Sequence, residues 1–494
     1  MPCERREMER LQMARAATQV EAPPVVRALV DALGPDTVLW QPYDMRLYSY
    51  DGSIDRARPE AVVLPSHTSQ VATALRICAE HEVPVTPRGT GTGLSGGAIP
   101  AAGGVLLCTA RMNRILSVDP ESRRAVVQPG VVNMHLSDRV KEYGLYYVPD
   151  PSSQRACSIG GNVAENAGGP HTLLHGVTTN HVLGLEMVLM GGEVVRLGGD
   201  ALDPPGYDLL GLVIGSEGTF GVVTEVTVKL TPLSPGVRTM LAIFSSVEQA
   251  GSAVSGIIAE GIVPSALEMM DNLPIQAVED AYHAGYPRDA GAVLLIEIEG
   301  PPDGLDEPAQ AIISQCIRVG AREVRVAATA RERTLLWAGR KGAFGALGRI
   351  TPDYYTMDGV IPRGTMPAVL EQIAEVGRKY GLTICNVFHA GDGNLHPLIL
   401  FDAEIEGSVE RVKAAGDDIL AICAAVGGSL SGEHGIGMEK NNLMHLIFSE
   451  ADMALMKEIR LAFDPRGLCN PGKVFPTPGR CLEPGGRMGA GAGW

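Results

Sequence analysis

The sequence predicts an α+β fold in two parts. A β-rich first domain precedes a second in which an antiparallel sheet is flanked by helices. Three observations carry this prediction. Short apolar, strand-like runs alternate with glycine-rich blocks through the first half. Beyond Thr231-Pro232-Leu233-Ser234-Pro235-Gly236 the pattern changes to strands alternating with longer helices. A chain of 494 residues also exceeds one core, so two or three domains are expected.

In chain order, residues 1–23 read as a charged helix and lead-in, and Val25 to Leu33 as a helix stopped by Gly34-Pro35. Ala61-Val62-Val63-Leu64 is the first clear strand. Ser66 to His81 is an amphipathic helix with Val71, Leu75 and Cys78 on one face. A strand at Val83–Thr86 leads into Pro87-Arg88-Gly89-Thr90-Gly91-Thr92-Gly93-Leu94-Ser95-Gly96-Gly97. Val105–Cys108 reads as a buried strand and Ala125–Gln128 as another, followed by a helix from Met134 to Tyr143 ended by Gly144. Val182 to Leu197 is a hairpin turning at Gly191-Gly192. After the boundary, Met240–Phe244 and Ala292–Ile298 are strands, and Val247–Ala259 and Pro308–Val319 are helices packing on one face of the sheet. Gly479 to Trp494 reads as a disordered tail.

The Pro87–Gly97 stretch leaves little side chain on its backbone. Glycine tolerates positive φ and close approach of a ligand, and the exposed N–H groups of such a loop make an anion-binding nest. It reads as a cradle for a diphosphate. Gly91-Thr92-Gly93-Leu94-Ser95-Gly96 also matches the dinucleotide fingerprint, but that motif requires a helix opening directly from the loop. Ala98-Ile99-Pro100-Ala101-Ala102-Gly103-Gly104 has no helical period, so the loop joins strand to strand and a nicotinamide site is disfavoured. Two further glycine-rich blocks, Cys157 to Gly169 and Gly215 to Thr224, suggest a large ligand wrapped on several sides; the competing reading is tight turns in a β-rich domain.

Composition narrows the function classes. A net charge of −16 with scattered Lys and Arg argues against nucleic acid. No apolar run approaches bilayer length, and the opening residues lack the apolar core of a signal peptide. Nine dispersed cysteines without a Cys-x-x-Cys pair point to reduced thiols in the cytoplasm, with no iron–sulfur motif.

The second half carries the chemistry. In Ile384 to Leu400, two strand-like runs flank Asp392-Gly393, a strong two-residue hairpin signal. Centring the turn there sets His389 opposite His396, where one ion can take both imidazoles. Glu433 and His434 sit between glycines in Gly427 to Gly437. Two histidines and a carboxylate suit a divalent ion with open positions, and the adjacent residue is free to meet substrate. The competing reading is a pair of satisfied strand histidines beside a loop salt bridge. Arg340, in Trp337-Ala338-Gly339-Arg340-Lys341, is a candidate carboxylate clamp.

With these motifs together, the chain resembles the FAD-linked 2-hydroxy-acid oxidoreductases of the vanillyl-alcohol-oxidase superfamily, the group that includes glycolate oxidase flavin subunits and D-lactate dehydrogenases. The resemblance spans Tyr48 to Pro476 and includes Phe463-Asp464-Pro465-Arg466-Gly467-Leu468-Cys469-Asn470-Pro471-Gly472-Lys473. It implies a lead-in over 1–55, a PCMH-type FAD-binding domain over 56–235, a substrate domain over 236–460 and a segment over 461–478 returning to the flavin. It implies that Pro87, Arg88, Gly89, Thr90, Gly91, Thr92, Gly93, Leu94, Ser95 and Gly96 hold the FAD pyrophosphate. Pro151, Cys157, Ser158, Gly160, Gly161, Asn162, Asn166, Ala167, Gly168, Glu217, Gly221, Val222 and Val223 would line the rest, with Asn470 near the flavin ring. The first loop has no histidine, and FAD is expected to be non-covalent, although Cys157 lies near a region that some relatives use for thioether linkage.

The resemblance further implies that His389, His396 and Glu433 ligate a divalent metal (Zn, Mn or Fe), that His434 is the base and that Arg340 meets the substrate carboxylate. The expected reaction is oxidation of a short 2-hydroxy acid, glycolate or D-lactate, with electrons passed to a non-NAD acceptor. The absence of polar groups beside His396 (Leu398, Thr356) argues against a second substrate carboxylate. Sister FAD-binding and iron–sulfur subunits are implied partners, which would place a cytoplasmic chain against the inner face of the membrane. A stand-alone D-lactate dehydrogenase and a D-2-hydroxyglutarate dehydrogenase are the alternatives. A non-catalytic FAD-binding subunit and a zinc hydrolase are the rival classes.

Overall fold

The computed structural model describes residues 21–200 and 205–476. The expected N-terminal helix before residue 21 and the expected tail beyond 478 lie outside these residues.

The Pro24–Leu33 helix buries Val25, Val26 and Leu29 and ends at Gly34, whose φ of 83° suits glycine. A four-stranded sheet follows in the order Val38–Leu39, Ala61–Val63, Val105–Cys108, Val85–Arg88. Its last two pairings are parallel. The Thr68–Glu80 helix covers it with Val71, Leu75 and Cys78 fully buried, the face read from their spacing. The Pro87–Gly97 loop therefore connects neighbouring parallel strands, and no helix opens from it.

A second sheet of five strands runs Ile115–Asp119, Arg124–Val127, Val222–Lys229, Val182–Val188, Val194–Gly198. The expected hairpin is its antiparallel edge, turning at Gly192 with φ 91°. Among the elements not foreseen, one lies at the cavity between the two halves. Ile159–Glu165, inside the second glycine-rich block, is a helix. Ser158 caps it by accepting a hydrogen bond from the Gly161 N–H, and Ile159 and Val163 anchor it in the core. Gly160 is required by packing, since a Cβ there would lie 2.5 Å from Pro129 Cβ.

The second half forms a nine-stranded sheet built around Gly236–Phe244, Ala292–Gly300, Ala266–Asp271 and Thr383–His389. Helices cover both faces, not one. Met240, Ala242 and Phe244 join a core with the Val247–Ala259, Asp306–Arg318, Met366–Tyr380 and Ser408–Ala425 helices. Leu241 and Ile243 face the Asn272–Tyr282 and Ala330–Leu347 helices. Strands buried on both faces carry unbroken apolar runs, so period-2 alternation was absent from the sequence.

Residues beyond Phe463 turn back to the first half. Val85 N–H donates to Leu468 O (2.8 Å) and Asn470 N–H to Val85 O (2.7 Å), extending the edge of the strand that feeds the glycine-rich loop.

Candidate active site

A cavity of about 400 Å³ opens between the two halves. Pro87, Arg88, Gly89, Thr90, Gly91, Thr92, Gly93 and Leu94 form one wall. Pro151, Cys157, Ser158, Gly160, Gly161, Asn162, Ala167, Glu217, Gly221, Val222 and Val223 form others. His396, Glu433 and His434 close the far end together with Lys341, Phe344 and Tyr354.

Five cofactor candidates do not line it. Ser95 is fully buried behind the loop and Gly96 packs toward Met438. Asn166 caps a helix in the left-handed region, and Gly168 lies against Glu433. Asn470, 1% exposed, donates to Gly97 O and Glu217 O and so braces two of the walls from behind.

The glycines form a fitted cradle. Gly91 has φ 74°, and a Cβ on it would strike the Arg88 guanidinium, itself fixed by a bond to Tyr50 O (2.7 Å). A Cβ on Gly89 would lie 2.3 Å from Ser158 Oγ, whereas one on Gly93 would meet no protein atom. A bare wall facing open space fits an extended phosphate-bearing ligand such as FAD.

At the far end the strand register differs from the expected one. His389 pairs with Asn394, so the turn is longer than Asp392-Gly393, and Cys385 faces Leu398. The slip is by two residues. Because side chains alternate with a period of two, it preserves the face, and the imidazoles still meet, with ring centroids 5.0 Å apart. Leu398 lies in the core below, so the size argument built on it does not hold.

His389 Nε2 and His396 Nε2 lie 3.1 and 3.4 Å from Glu433 Oε1. One ligand atom from each of the three residues falls within 4.8 Å of the others. His396 Nε2 and Glu433 Oε2 are buried without a hydrogen-bond partner. Converging, unsatisfied donor atoms of this kind fit a divalent cation. Burial raises the Glu433 carboxyl, but His389 and the two other histidines outweigh it and bring it to about 2. Burial disfavours a charged His389, yet Glu268 and Glu433 together hold it well above the ordinary histidine range.

Two carboxylates that sequence reasoning passed over organise this end. Glu268, fully enclosed, accepts from His389 Nδ1 (2.8 Å) and pairs with Arg340 Nη2 (2.5 Å). Asp358, also fully buried, accepts from Ser431 Oγ (2.6 Å) and the His434 N–H (2.9 Å), with Lys440 Nζ at 3.2 Å. Burial opposes its charge, but His434, Lys440 and His396 hold it well below the usual carboxylate range. Neither Glu268, within the Ala266–Asp271 strand, nor Asp358, between the Asp353–Thr356 and Gly359–Val360 strands, sits in a motif that signals a site, and Lys440 gave no hint either.

His434 stacks on His396 with centroids 4.9 Å apart. Burial pushes its imidazole down, to about 4, leaving the neutral form that accepts a proton. Arg340 does not reach the cavity wall. Its charge is met by Glu268, while its Nε and Nη1 have no protein acceptor. The neighbouring Lys341 does line the cavity and pairs with Asp150 (3.2 Å).

Fold and site together define an FAD-dependent oxidoreductase. Residues 59–198 match the FAD binding domain family, and residues 234–474 match the family described as FAD linked oxidases, C-terminal domain. The chain is 52% identical to glycolate oxidase subunit GlcD of Escherichia coli (strain K12), over 95% of this chain and 94% of that one. It is 39% identical to the GlcD of Bacillus subtilis (strain 168), covering 92% and 97%. It is 34% identical to a D-lactate dehydrogenase of Anaerostipes hadrus, covering 85% and 90%. The chain belongs to the FAD-linked oxidase family, as its motifs implied.

Two solved structures share the fold. 4-Ethylphenol oxidase from Gulosibacter chungangensis superposes with a TM-score of 0.77 at 19% identity, covering 91% of this chain and 96% of that one. p-Cresol methylhydroxylase gives 0.77 at 20%, covering 92% and 97%. The expected α+β architecture with an FAD-binding domain is thus the observed one. Among the described residues, no helix is long and apolar enough to cross a membrane.

Proposed function

We propose that the chain oxidises a short 2-hydroxy acid, glycolate first and D-lactate second, to the 2-oxo acid. The observation that carries this reading is the convergence of His389, His396 and Glu433 beside a neutral, buried His434 at the end of a glycine-walled cavity. When bound, FAD supplies a hydride acceptor and a divalent ion (Zn, Mn or Fe) acidifies the substrate hydroxyl.

The protein's own groups do the rest. His434 takes the hydroxyl proton at Nε2, the ring nitrogen that faces Glu433, while Asp358 on the Nδ1 side at 4.0 Å stabilises the imidazolium. Lys341, on the cavity wall in the Ala330–Leu347 helix, receives the substrate carboxylate, while Arg340 stays buried behind it on Glu268 and adds its positive charge from there. Pro87 to Leu94 hold the pyrophosphate through backbone amides, without a covalent bond to the cofactor. The relatives named as glycolate oxidase subunits support partner subunits; on this reading those partners include an iron–sulfur protein that carries electrons onward and brings the chain to the inner face of the membrane.

D-Lactate is the second reading because D-lactate dehydrogenases are among the relatives. The test is an anaerobic titration of the yellow protein with glycolate, D-lactate, L-lactate and D-2-hydroxyglutarate. Bleaching by glycolate or D-lactate supports the proposal; a colourless protein, or bleaching by none of the four, overturns it.

A further inference from the structure

The cofactor loop does two jobs with two halves. Pro87 to Leu94 face the cavity, whereas Ser95 is fully buried and faces the second domain. Its hydroxyl donates to the carbonyl of His434 at 2.9 Å. Its own carbonyl accepts the N–H of Met438 at 2.9 Å. One residue of the loop therefore fastens the segment carrying His434 at two points.

The approach is close enough to dictate the sequence on the other side. Gly437 sits at φ 55°, and a Cβ there would lie 2.0 Å from Ser95 O. Glu217, from the same domain as Ser95, accepts the N–H groups of Ile436 (2.6 Å) and Gly437 (2.7 Å). From the second domain, Asp358 holds the His434 N–H at 2.9 Å. His434 is thus stretched between anchors in both domains, and Ser95 is the anchor that belongs to the cofactor loop itself.

We propose that Ser95 is a positioning residue for His434, coupling the seat of the cofactor pyrophosphate to the placement of the base. The inference rests on reading His434 as the base. Proton transfer requires hydrogen-bond reach, and a displacement of about 1 Å costs on the order of 100-fold in rate. Losing the hydroxyl frees the His434 carbonyl from the loop and lets the imidazole drift, while the cavity wall, built from backbone on the loop's other side, stays intact.

The experiment compares Ser95→Ala in the wild-type and His434→Ala backgrounds, using the hydroxy acid that bleaches the wild-type flavin fastest. In the wild type, Ser95→Ala is expected to slow anaerobic flavin bleaching by about tenfold or more. FAD affinity, the visible spectrum and KM should stay within about twofold, and reduction by dithionite should be unchanged. In the His434→Ala background, followed over hours, the second substitution should slow the residual bleaching no further, because its effect passes through His434.

An equal slowing in both backgrounds, a parallel loss of FAD affinity, or no slowing in the wild type would overturn the coupling. Should Ser95→Ala fail to fold, Ser95→Cys, close in volume but a far weaker donor, takes the same test with the same expectation. Full-speed bleaching by His434→Ala alone removes the base reading itself, an outcome distinct from loss of the coupling alone.

Discussion

Glu268 ties together two residues of opposite consequence: its carboxylate accepts from His389 Nδ1 at 2.8 Å and meets Arg340 Nη2 at 2.5 Å. All three side chains are almost completely enclosed. A carboxylate behind a ligating histidine fixes the tautomer and orients the ring, so that a divalent ion, if held here as proposed, would meet Nε2.

Replacing Glu268 by Gln should therefore act on metal and fold together. Metal affinity is expected to fall by about 10–100-fold, read by titrating the apoprotein. The uncompensated Arg340 should lower stability by about 3–5 kcal/mol in urea denaturation. Unchanged metal affinity would separate Glu268 from the ligand set.

His434→Ala should purify yellow, since the glycine-rich walls remain and only the far end of the cavity is opened, yet bleach at least about 100-fold more slowly with substrate. Dialysis against a chelator should reproduce that loss while leaving the colour in place, with recovery on adding Zn, Mn or Fe. A chelated protein that still bleaches at full rate would count against a metal at His389, His396 and Glu433.

Gly91→Ala probes the cradle. Its φ of 74° and the Arg88 guanidinium directly in the path of a Cβ make the substitution costly twice over. Forcing a β-carbon into the left-handed region costs about 1–2 kcal/mol, and displacing Arg88 breaks its bond to Tyr50 O. The variant is expected to lose FAD on gel filtration while retaining most of its ellipticity; full retention of FAD would show that this residue is not part of the cradle.

Asp271 makes stability depend on pH. It is half-buried; Oδ2 accepts from Asn386 N (2.8 Å) and Nδ2 (2.9 Å), and Oδ1 is enclosed without a partner. Burial outweighs these bonds and pushes the carboxyl up to about 7. In the unfolded chain an Asp titrates near ~3.9. Between those values the folded state keeps a proton that the unfolded state has released. This contribution is fully present below about pH 4 and is lost as pH rises to 7, with a slope of up to about 1.4 kcal/mol per unit. Asp271→Asn should flatten that part of the stability curve, measured by urea midpoints from pH 4.5 to 7.5. The same slope in the variant would assign it to other groups.

Much of this was legible in the chain because it has local causes. Glycines at forced φ values, the stripe of Val71, Leu75 and Cys78, and the strand-to-strand setting of the cofactor loop are written in short windows. The histidine pair survived an error of register because a two-residue slip keeps side chains on their face. What was not legible depends on distant contacts. Glu268 lies in a strand and Asp358 between two, neither within a recognisable motif, and only the fold brings them to His389 and His434. The Ile159–Glu165 helix was hidden because it carries two glycines, one of which, Gly160, answers to the packing of Pro129 from an earlier segment. Arg340 stood out in the sequence, but its ion-pair partner on the strand beneath its helix, Glu268, did not.

The bridge from Leu468 and Asn470 to Val85 has a consequence for how the protein is made. The strand that launches the cofactor loop is translated long before the residues that close its outer edge. Until then a bare strand edge stands open, a surface prone to pairing with other chains. The cofactor seat is therefore finished only once synthesis has passed Asn470. A ribosome stalled before Leu468 would hold a first half that is largely folded yet unsealed.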